Sequence, residues 1–383
     1  MIGRYSEAAL NGVAIANQLQ FLLQMFAGGI ASGISVIAAQ YWGQRRIEPI
    51  KRITAVGMVI GLAGSAVLSI LCFAIPEGVL GLLTNSPDVI AEGAKYVSII
   101  AASYCIFTVG QILLGTLRSV ETVKIGFWIS VASLGINVGL NYVLIFGHLG
   151  FDPMGIRGAA IATLVSRIVE FLVIAGYIAF ADKKLRMKFK ELFILKKSFV
   201  RDFLKSGLPL ALSSISWGLA MTVQTAIIGR LGDEVISANA IATTVYQVVS
   251  VVIYGTASAT AVLIGNTVGA GKIEEAKEYA RTLQIIYIIL GLLTSAAFFA
   301  VREPVIGLYN SISAESAEMA RKFILVLCFT IIGTAYQMSC LTGIVSGGGY
   351  DPFGFFFRHG LCGSVAHLAI YDTAEAEATF YKA

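Results

Sequence analysis

The sequence predicts an all-α polytopic membrane protein: a two-lobed bundle of two parallel six-helix repeats, with about nine to ten helices of the twelve present. Three observations carry this. Charged residues make up 13% of the 383 and apolar residues 57%, with a mean hydropathy of +0.80, about half the charge of an ordinary soluble protein. The apolar residues come in stretches of roughly twenty, enough for a helix to cross a hydrocarbon core about 30 Å thick. Finally, the chain aligns with itself, without a gap, at a shift of 226 residues.

Nine spans follow in order, near 10–42, 54–75, 96–117, 125–147, 158–180, 206–228, 235–268, 280–301 and 323–345. The first carries Asn17, Gln20 and Gln24 at spacings of three and four, so all three share one helix face. It also holds Gly29 and Gly33, a GxxxG pair suited to close helix packing and echoed by Gly255 and Ala259. The fourth span carries Asn137 and Asn141, and the fifth carries Thr163, Arg167 and Glu170. An isolated ion at the bilayer centre costs about 2.5–3.5 kcal/mol on the insertion scale, so Arg167 and Glu170, three apart, are expected to pair. In the seventh span Thr243, Tyr246 and Ser250 repeat the polar stripe of the first. Such stripes are costly toward lipid and read as the lining of a substrate cleft or, in the alternative, as interhelical hydrogen bonds.

Alternating the loops between two sides places about eighteen Lys and Arg residues on one side and about seven on the other. The richer side is expected to be cytoplasmic. Nine of those cations lie in 183–205, a basic linker whose Phe189, Leu192, Phe193 and Leu195 suggest a helix lying in the membrane interface. Its cations read as topology signals rather than a nucleic-acid arm or a dedicated anionic-lipid contact. Residues 1–182 form an N-terminal lobe and 206–350 the first four helices of a C-terminal lobe.

The repeat pairs Gly3 with Gly229, Ala14 with Ala240, Gly43 with Gly269, Glu48 with Glu274 and Lys51 with Lys277. A shift that spans six helices keeps both halves pointing the same way through the membrane. A full span precedes Ile228, whereas Met1 falls where its counterpart would end, so the first lobe is expected to lack its first helix. After Val345, GLCGSVAHLAI is too short to cross, and the tail 351–383 reads as aberrant.

The five cysteines show no CxxC spacing and the three histidines are scattered, so neither a metal site nor a cofactor is expected. No convergent set of His, Asp and Glu lies in the spans, which argues against an enzyme.

The stretches GRYSEAALNGVAIANQ, AQYWGQRRIEPIKR, INVGLNYVLIFGHLGFDPMGIRGAAIATLVSR, GRLGDEVISANAIA with GNTVGAGKIEEAKEYA, and TGIVSGGG, taken in this order, resemble the multidrug and toxic compound extrusion (MATE) family over nearly all of residues 1–350. The resemblance implies two six-helix lobes around a cleft and efflux of organic cations or other toxic amphiphiles by antiport with Na⁺ or H⁺. It implies a monomer in the plasma membrane with a small-molecule substrate. DinF-like members of that family use an Asn and an Asp four apart in the fifth helix; Asn137 and Asn141 keep the amide and lose the acid. NorM-like members carry acidic residues in the seventh and tenth helices, and 207–228 and 323–345 contain none. Asn137, Asn141, Thr163, Arg167 and Glu170 are therefore the candidates for ion coupling, and Asn17, Gln20, Gln24, Thr243, Tyr246 and Ser250 those for the cleft. A lipid-linked sugar flippase of the same superfamily and a non-functional fragment of such a transporter are the alternatives.

Overall fold

The computed structural model describes residues 7–84, 86–228, 233–308 and 314–348, and all regular structure in them is helical. Nine segments among the described residues are long and apolar enough to cross a bilayer, at the places the hydropathy pattern predicts. Cys362 and the tail 351–383 lie outside the described residues.

The helices are α1 (Glu7–Gly43), α2 (Ile47–Ala74), the short α3 (Pro76–Gly81), α4 (Pro87–Ile100), α5 (Tyr104–Ser119), α6 (Lys124–Phe146), α7 (Gly155–Gly176), α8 (Lys197–Asp202), α9 (Leu208–Ile228), α10 (Asp233–Gly269), α11 (Ile273–Leu308) and α12 (Ala314–Met338). Several outrun the apolar stretch that announced them, because helix-starting residues lie in the flanking polar sequence: Pro87, at the head of α4, loses no hydrogen bond there. A 3₁₀ turn at Ala101–Ser103 joins α4 to α5 as one span, and a π turn at Phe203–Gly207 joins α8 to α9. The α6 helix ends on Gly147 at φ 74°, where a Cβ would sit 2.6 Å from the Pro153 ring, so only glycine closes this helix.

Large apolar side chains face outward in numbers no soluble protein tolerates, among them Phe73, Trp128, Leu172, Phe180, Ile285, Leu293 and Phe329. Many buried Ser and Thr hydroxyls bond back along their own helices, as Ser65 does to Gly61 and Thr108 to Tyr104.

The chain forms two compact units, one from the residues up to Ala38 with Arg46–Ile215, the other from Ala39–Arg45 with the residues from Ser216 onward. In the first, Leu19 and Leu23 of α1, Val97 and Ile100 of α4, Tyr104 of α5 and Ile156 of α7 make one buried core. Within it Gly29 and Gly33 let α1 meet the start of the sixth span. A Cβ on either would lie 2.7 Å from the Ala211 Cα or 2.8 Å from the Gly207 Cα respectively. The echo of this motif fails: a Cβ on Gly255 meets nothing within 4 Å and Ala259 is exposed, because sequence spacing says which residues share a face but not what that face touches.

In the second unit Ile241 and Val245 of α10, Phe298 of α11 and Ile324 and Leu327 of α12 form the core. The tail of α1 also crosses the end of α10 there. A Cβ on Gly43 would lie 2.0 Å from the Asn266 carbonyl oxygen, and one on Gly269 would lie 2.0 Å from that of Gln40. These residues are equivalent in the 226-residue repeat, so the contact is reciprocal.

The basic linker is not a free interfacial helix along its length. After a π turn at Tyr177–Ala181, Asp182 accepts hydrogen bonds from the backbone of Lys184, Leu185 and Arg186, each at 3.1 Å, and folds the chain back on the first unit. Leu185, Met187 and Leu192 are buried. The Lys184 ammonium donates to the carbonyls of Val120 and Glu121. Lys51 of α2 donates to the Arg186 carbonyl at 3.2 Å and to Glu191 at 2.9 Å. Leu195 stays exposed, and the side chains of Phe189 and Phe193 lie outside the described residues.

Candidate functional site

The ion-coupling candidates come together in the first unit, on the facing sides of α6 and α7. Asn141 donates to the Asn137 carbonyl oxygen at 2.9 Å, one turn along α6, and Asn137 donates across to the Thr163 hydroxyl of α7 at 3.4 Å. Thr163 in turn donates to the Ala159 carbonyl at 3.0 Å and shares a hydrogen bond with the Tyr96 phenol of α4. A chain of neutral oxygens thus crosses three helices.

Arg167 lies one turn further along α7. The pairing with Glu170 expected from their spacing is not formed: among the described residues no ion pair within 4.0 Å joins them. Instead the Arg167 Nη1 donates to the Ser103 hydroxyl at 3.0 Å, and its guanidinium lies 4.5 Å over the Phe107 ring. Both partners come from the join of α4 and α5, where the 3₁₀ turn brings Ser103 to the bundle interior. Tyr96 and Tyr104 also act electrostatically on this guanidinium. Tyr104 is fully buried and its hydroxyl has no hydrogen-bond partner among the described residues. Sequence reasoning missed Ser103, Tyr96, Tyr104 and Phe107, because no periodicity in α4 or α5 marks them as facing an arginine some sixty residues on.

Among the described residues Glu170 has its carboxylate in no hydrogen bond and Arg167 as its electrostatic partner. It lines a cavity of about 230 Å³ between the start of α6 and the end of α7, with Trp128, Ser133 and Val173 among its neighbours. Glu170 stands 15 residues after Gly155 and 11 before Ala181; every other acidic residue of the described spans lies within a turn or two of a span's end.

The two polar stripes differ from each other. Asn17 and Gln24 are exposed and Gln20 is half-buried, and none of the three makes a hydrogen bond among the described residues. In the second unit the hydroxyls of Thr243 and Ser250 donate to the carbonyls of Asn239 at 2.7 Å and Gln247 at 3.2 Å on their own helix. Ser250 is buried, and Tyr246 packs against the unit's core and hydrogen-bonds Tyr254. No group of three or more His, Cys, Asp and Glu able to hold a metal occurs among the described residues.

Known proteins resemble this chain in sequence and in fold. The family described as MatE matches residues 1–143 and 209–357. The chain is 25% identical over 341 residues to the uncharacterized transporter YisQ of Bacillus subtilis strain 168, covering 87% of this chain and 72% of that protein. It is 27% identical over 328 residues to a probable multidrug resistance protein NorM of Listeria innocua, covering 85% of this chain and 71% of the relative. Among solved structures, an outward-facing multidrug resistance MATE transporter of the MOP superfamily superposes with a TM-score of 0.82 at 21% identity, covering 92% of this chain and 78% of that one. A MOP superfamily transporter from Pyrococcus furiosus, described as having a binding pocket of reverse polarity, superposes at 0.79 and 20% identity, covering 91% and 77%.

Proposed function

The chain belongs to the MatE family, and from that membership we propose that it is a secondary transporter of the cell membrane, working as a monomer, that expels organic cations and toxic amphiphiles against an inward flow of protons. The basic linker stands on the cytoplasmic side in this reading, as the excess of Lys and Arg there requires. The NorM relatives support the substrate class, being described as multidrug resistance proteins.

One observation carries the choice of proton: Glu170 is the one carboxylate far from both ends of a described span, and its oxygens have no hydrogen bond among the described residues. A carboxylate in that position can accept and release a proton within the membrane, and intramembrane acids commonly serve as relays. The amide and hydroxyl oxygens of Asn137, Asn141 and Thr163 are hard donors of the kind that suits Na⁺, but they are neutral. Through Tyr96 the same cluster adjoins the fixed charge of Arg167, which repels a metal cation. These groups therefore serve as the polar frame that orients α6 against α7, and Glu170 carries the exchangeable charge.

The test is Glu170→Gln, measured in vesicles. The variant should insert and purify like the parent yet lose proton-driven uptake of ethidium at least tenfold. Unchanged proton-driven uptake would remove Glu170 from the coupling step.

A further inference from the structure

We propose that the folded linker is a docking surface for the anionic phospholipids of the inner leaflet. Lys183, Arg186, Lys190, Lys196 and Lys197 meet headgroups of net negative charge, and Ile194 and Leu195 enter the acyl boundary beside them. The choice of leaflet rests on the orientation proposed above; the lipid contact itself stands on the geometry of the first unit.

An excess of Lys and Arg accounts for topology wherever those side chains point. The structure adds a sorting of charge that topology does not require. The two acids on either side of the first cations are both turned toward the protein. Asp182, 8% exposed, accepts from the backbone of Lys184, Leu185 and Arg186, and Glu191 is held by the Lys51 ammonium at 2.9 Å. Lys184 is turned inward as well, to the carbonyls of Val120 and Glu121. What faces outward is of one sign. Lys183, Arg186, Lys190, Lys196 and Lys197 are exposed, and none of them forms an ion pair among the described residues. Headgroups within a Debye length, about 8–10 Å, therefore meet these cations with Asp182 and Glu191 already engaged. Sequence spacing shows the cations but not this sorting, so the linker reads there as a topology signal alone.

The apolar side chains are sorted too. Leu185, Met187 and Leu192 are buried and fasten the linker, while the turn at Phe189–Phe193 and α8 pack on α2. Ile194 and Leu195 are left 46% and 47% exposed, directly before Lys196 and Lys197. Exposed Phe180 and Leu204 stand where the chain leaves the fifth span and enters the sixth, so apolar surface continues on both sides of the linker. In water an exposed apolar pair is unfavourable. At the headgroup boundary it is covered, and the neighbouring lysines lay their stems along apolar surface while their ammonium groups stay among the phosphates. A soluble anion engages the cations only; the apolar pair decides for a lipid. Because the linker is bonded to Lys51 of α2 and to the turn after α5, a lipid that holds it also holds those helix ends.

The experiment measures lipid selectivity of the purified full chain in bilayers of phosphatidylcholine and phosphatidylglycerol in equal parts, from the motionally restricted fraction of a spin-labelled lipid of either kind. Phosphatidylglycerol should associate about three- to tenfold more strongly at low salt, and the preference should shrink as salt screens exposed charges. Lys196→Gln together with Lys197→Gln should reduce the preference about two- to fivefold. Lys272→Gln together with Lys277→Gln should leave it unchanged, since those ammonium groups are already bonded to Glu275 and Glu274. A nitroxide on Leu195→Cys in a cysteine-free background should be relaxed more by oxygen than by a water-soluble nickel chelate.

Equal association of the two lipids overturns the proposal. So does an equal loss from both lysine pairs, which would mean general surface charge, and so does a nitroxide reached mainly by nickel, which puts Leu195 in water. Displacement of phosphatidylglycerol by inorganic phosphate at constant ionic strength assigns the cations to a soluble anion and overturns it as well. Both leaflets of these bilayers carry the same lipids, so selectivity is independent of orientation. Absent selectivity, with Lys188→Cys protected in intact cells, removes the lipid surface alone; selectivity with Lys188→Cys labelled keeps the surface and removes the orientation.

Discussion

The Arg167 guanidinium donates to the Ser103 hydroxyl at 3.0 Å and so joins α7 to the turn between α4 and α5. That bond, with the Phe107 ring beneath the guanidinium, holds an intramembrane cation that makes no direct ion pair among the described residues. It leaves Glu170, one turn away, available for exchange.

Arg167→Gln should therefore lower stability by about 1–3 kcal/mol through the lost charge-assisted bond and cation–π contact. In a double-mutant cycle with Glu170→Gln, the coupling should stay below about 1 kcal/mol, since breaking a direct buried ion pair costs roughly 3–5. Thermal unfolding of the four purified proteins measures it, and strong coupling would mean the two residues do pair.

The reciprocal crossing of Gly43 and Gly269 makes a sharper steric prediction. Alanine at either would place a methyl group 2.0 Å from a carbonyl oxygen of the opposing helix and force the backbones apart, costing about 1–3 kcal/mol and reducing folded yield. Gly255→Ala, with nothing within 4 Å, should be neutral or slightly stabilising. Fluorescence-detected size exclusion after graded heating compares the three.

At the linker, the Lys51 ammonium hydrogen-bonded to Glu191 holds that carboxyl below the ordinary carboxylate range, with the Lys188 backbone amide assisting. A depressed carboxyl contributes stability that is present above its unfolded value of about 4.3 and is lost as pH falls through the folded one. A nitroxide on Lys190→Cys should stay immobilised from neutral pH down to about that value and loosen only below it. Glu191→Gln should loosen it at neutral pH, modestly, since ion pairs near the surface contribute about 0.2–1 kcal/mol.

Orientation is tested with single cysteines in a cysteine-free background. An impermeant thiol reagent applied to intact cells should mark Ser86→Cys and spare Lys188→Cys. The opposite pattern would invert the topology and put the Glu170 cavity on the outer side.

The spans were legible because lipid imposes one requirement on twenty residues at a time, and composition alone registers it. Asn137, Asn141 and Thr163 were legible as a group because i, i+4 spacing on α6 brings the two amides together and α7 follows directly in sequence. The fate of Arg167 was not, since its partners Ser103 and Phe107 lie on a span whose rotation about its own axis depends on the fold. The same holds for Ser250, whose polar character suggested a lining position and whose hydroxyl is bonded to its own helix in the core. A stripe tells which residues share a face, and only packing tells what that face meets.

The most direct test of proton-coupled efflux reconstitutes the chain into vesicles and follows ethidium uptake under one gradient at a time. An acidic interior without Na⁺ should drive uptake, and a protonophore should abolish it. A Na⁺-loaded interior at equal pH should drive none. Uptake driven by the Na⁺ gradient alone would contradict the account and return the coupling role to the neutral oxygens of Asn137, Asn141 and Thr163; uptake under neither gradient would contradict active efflux by this chain.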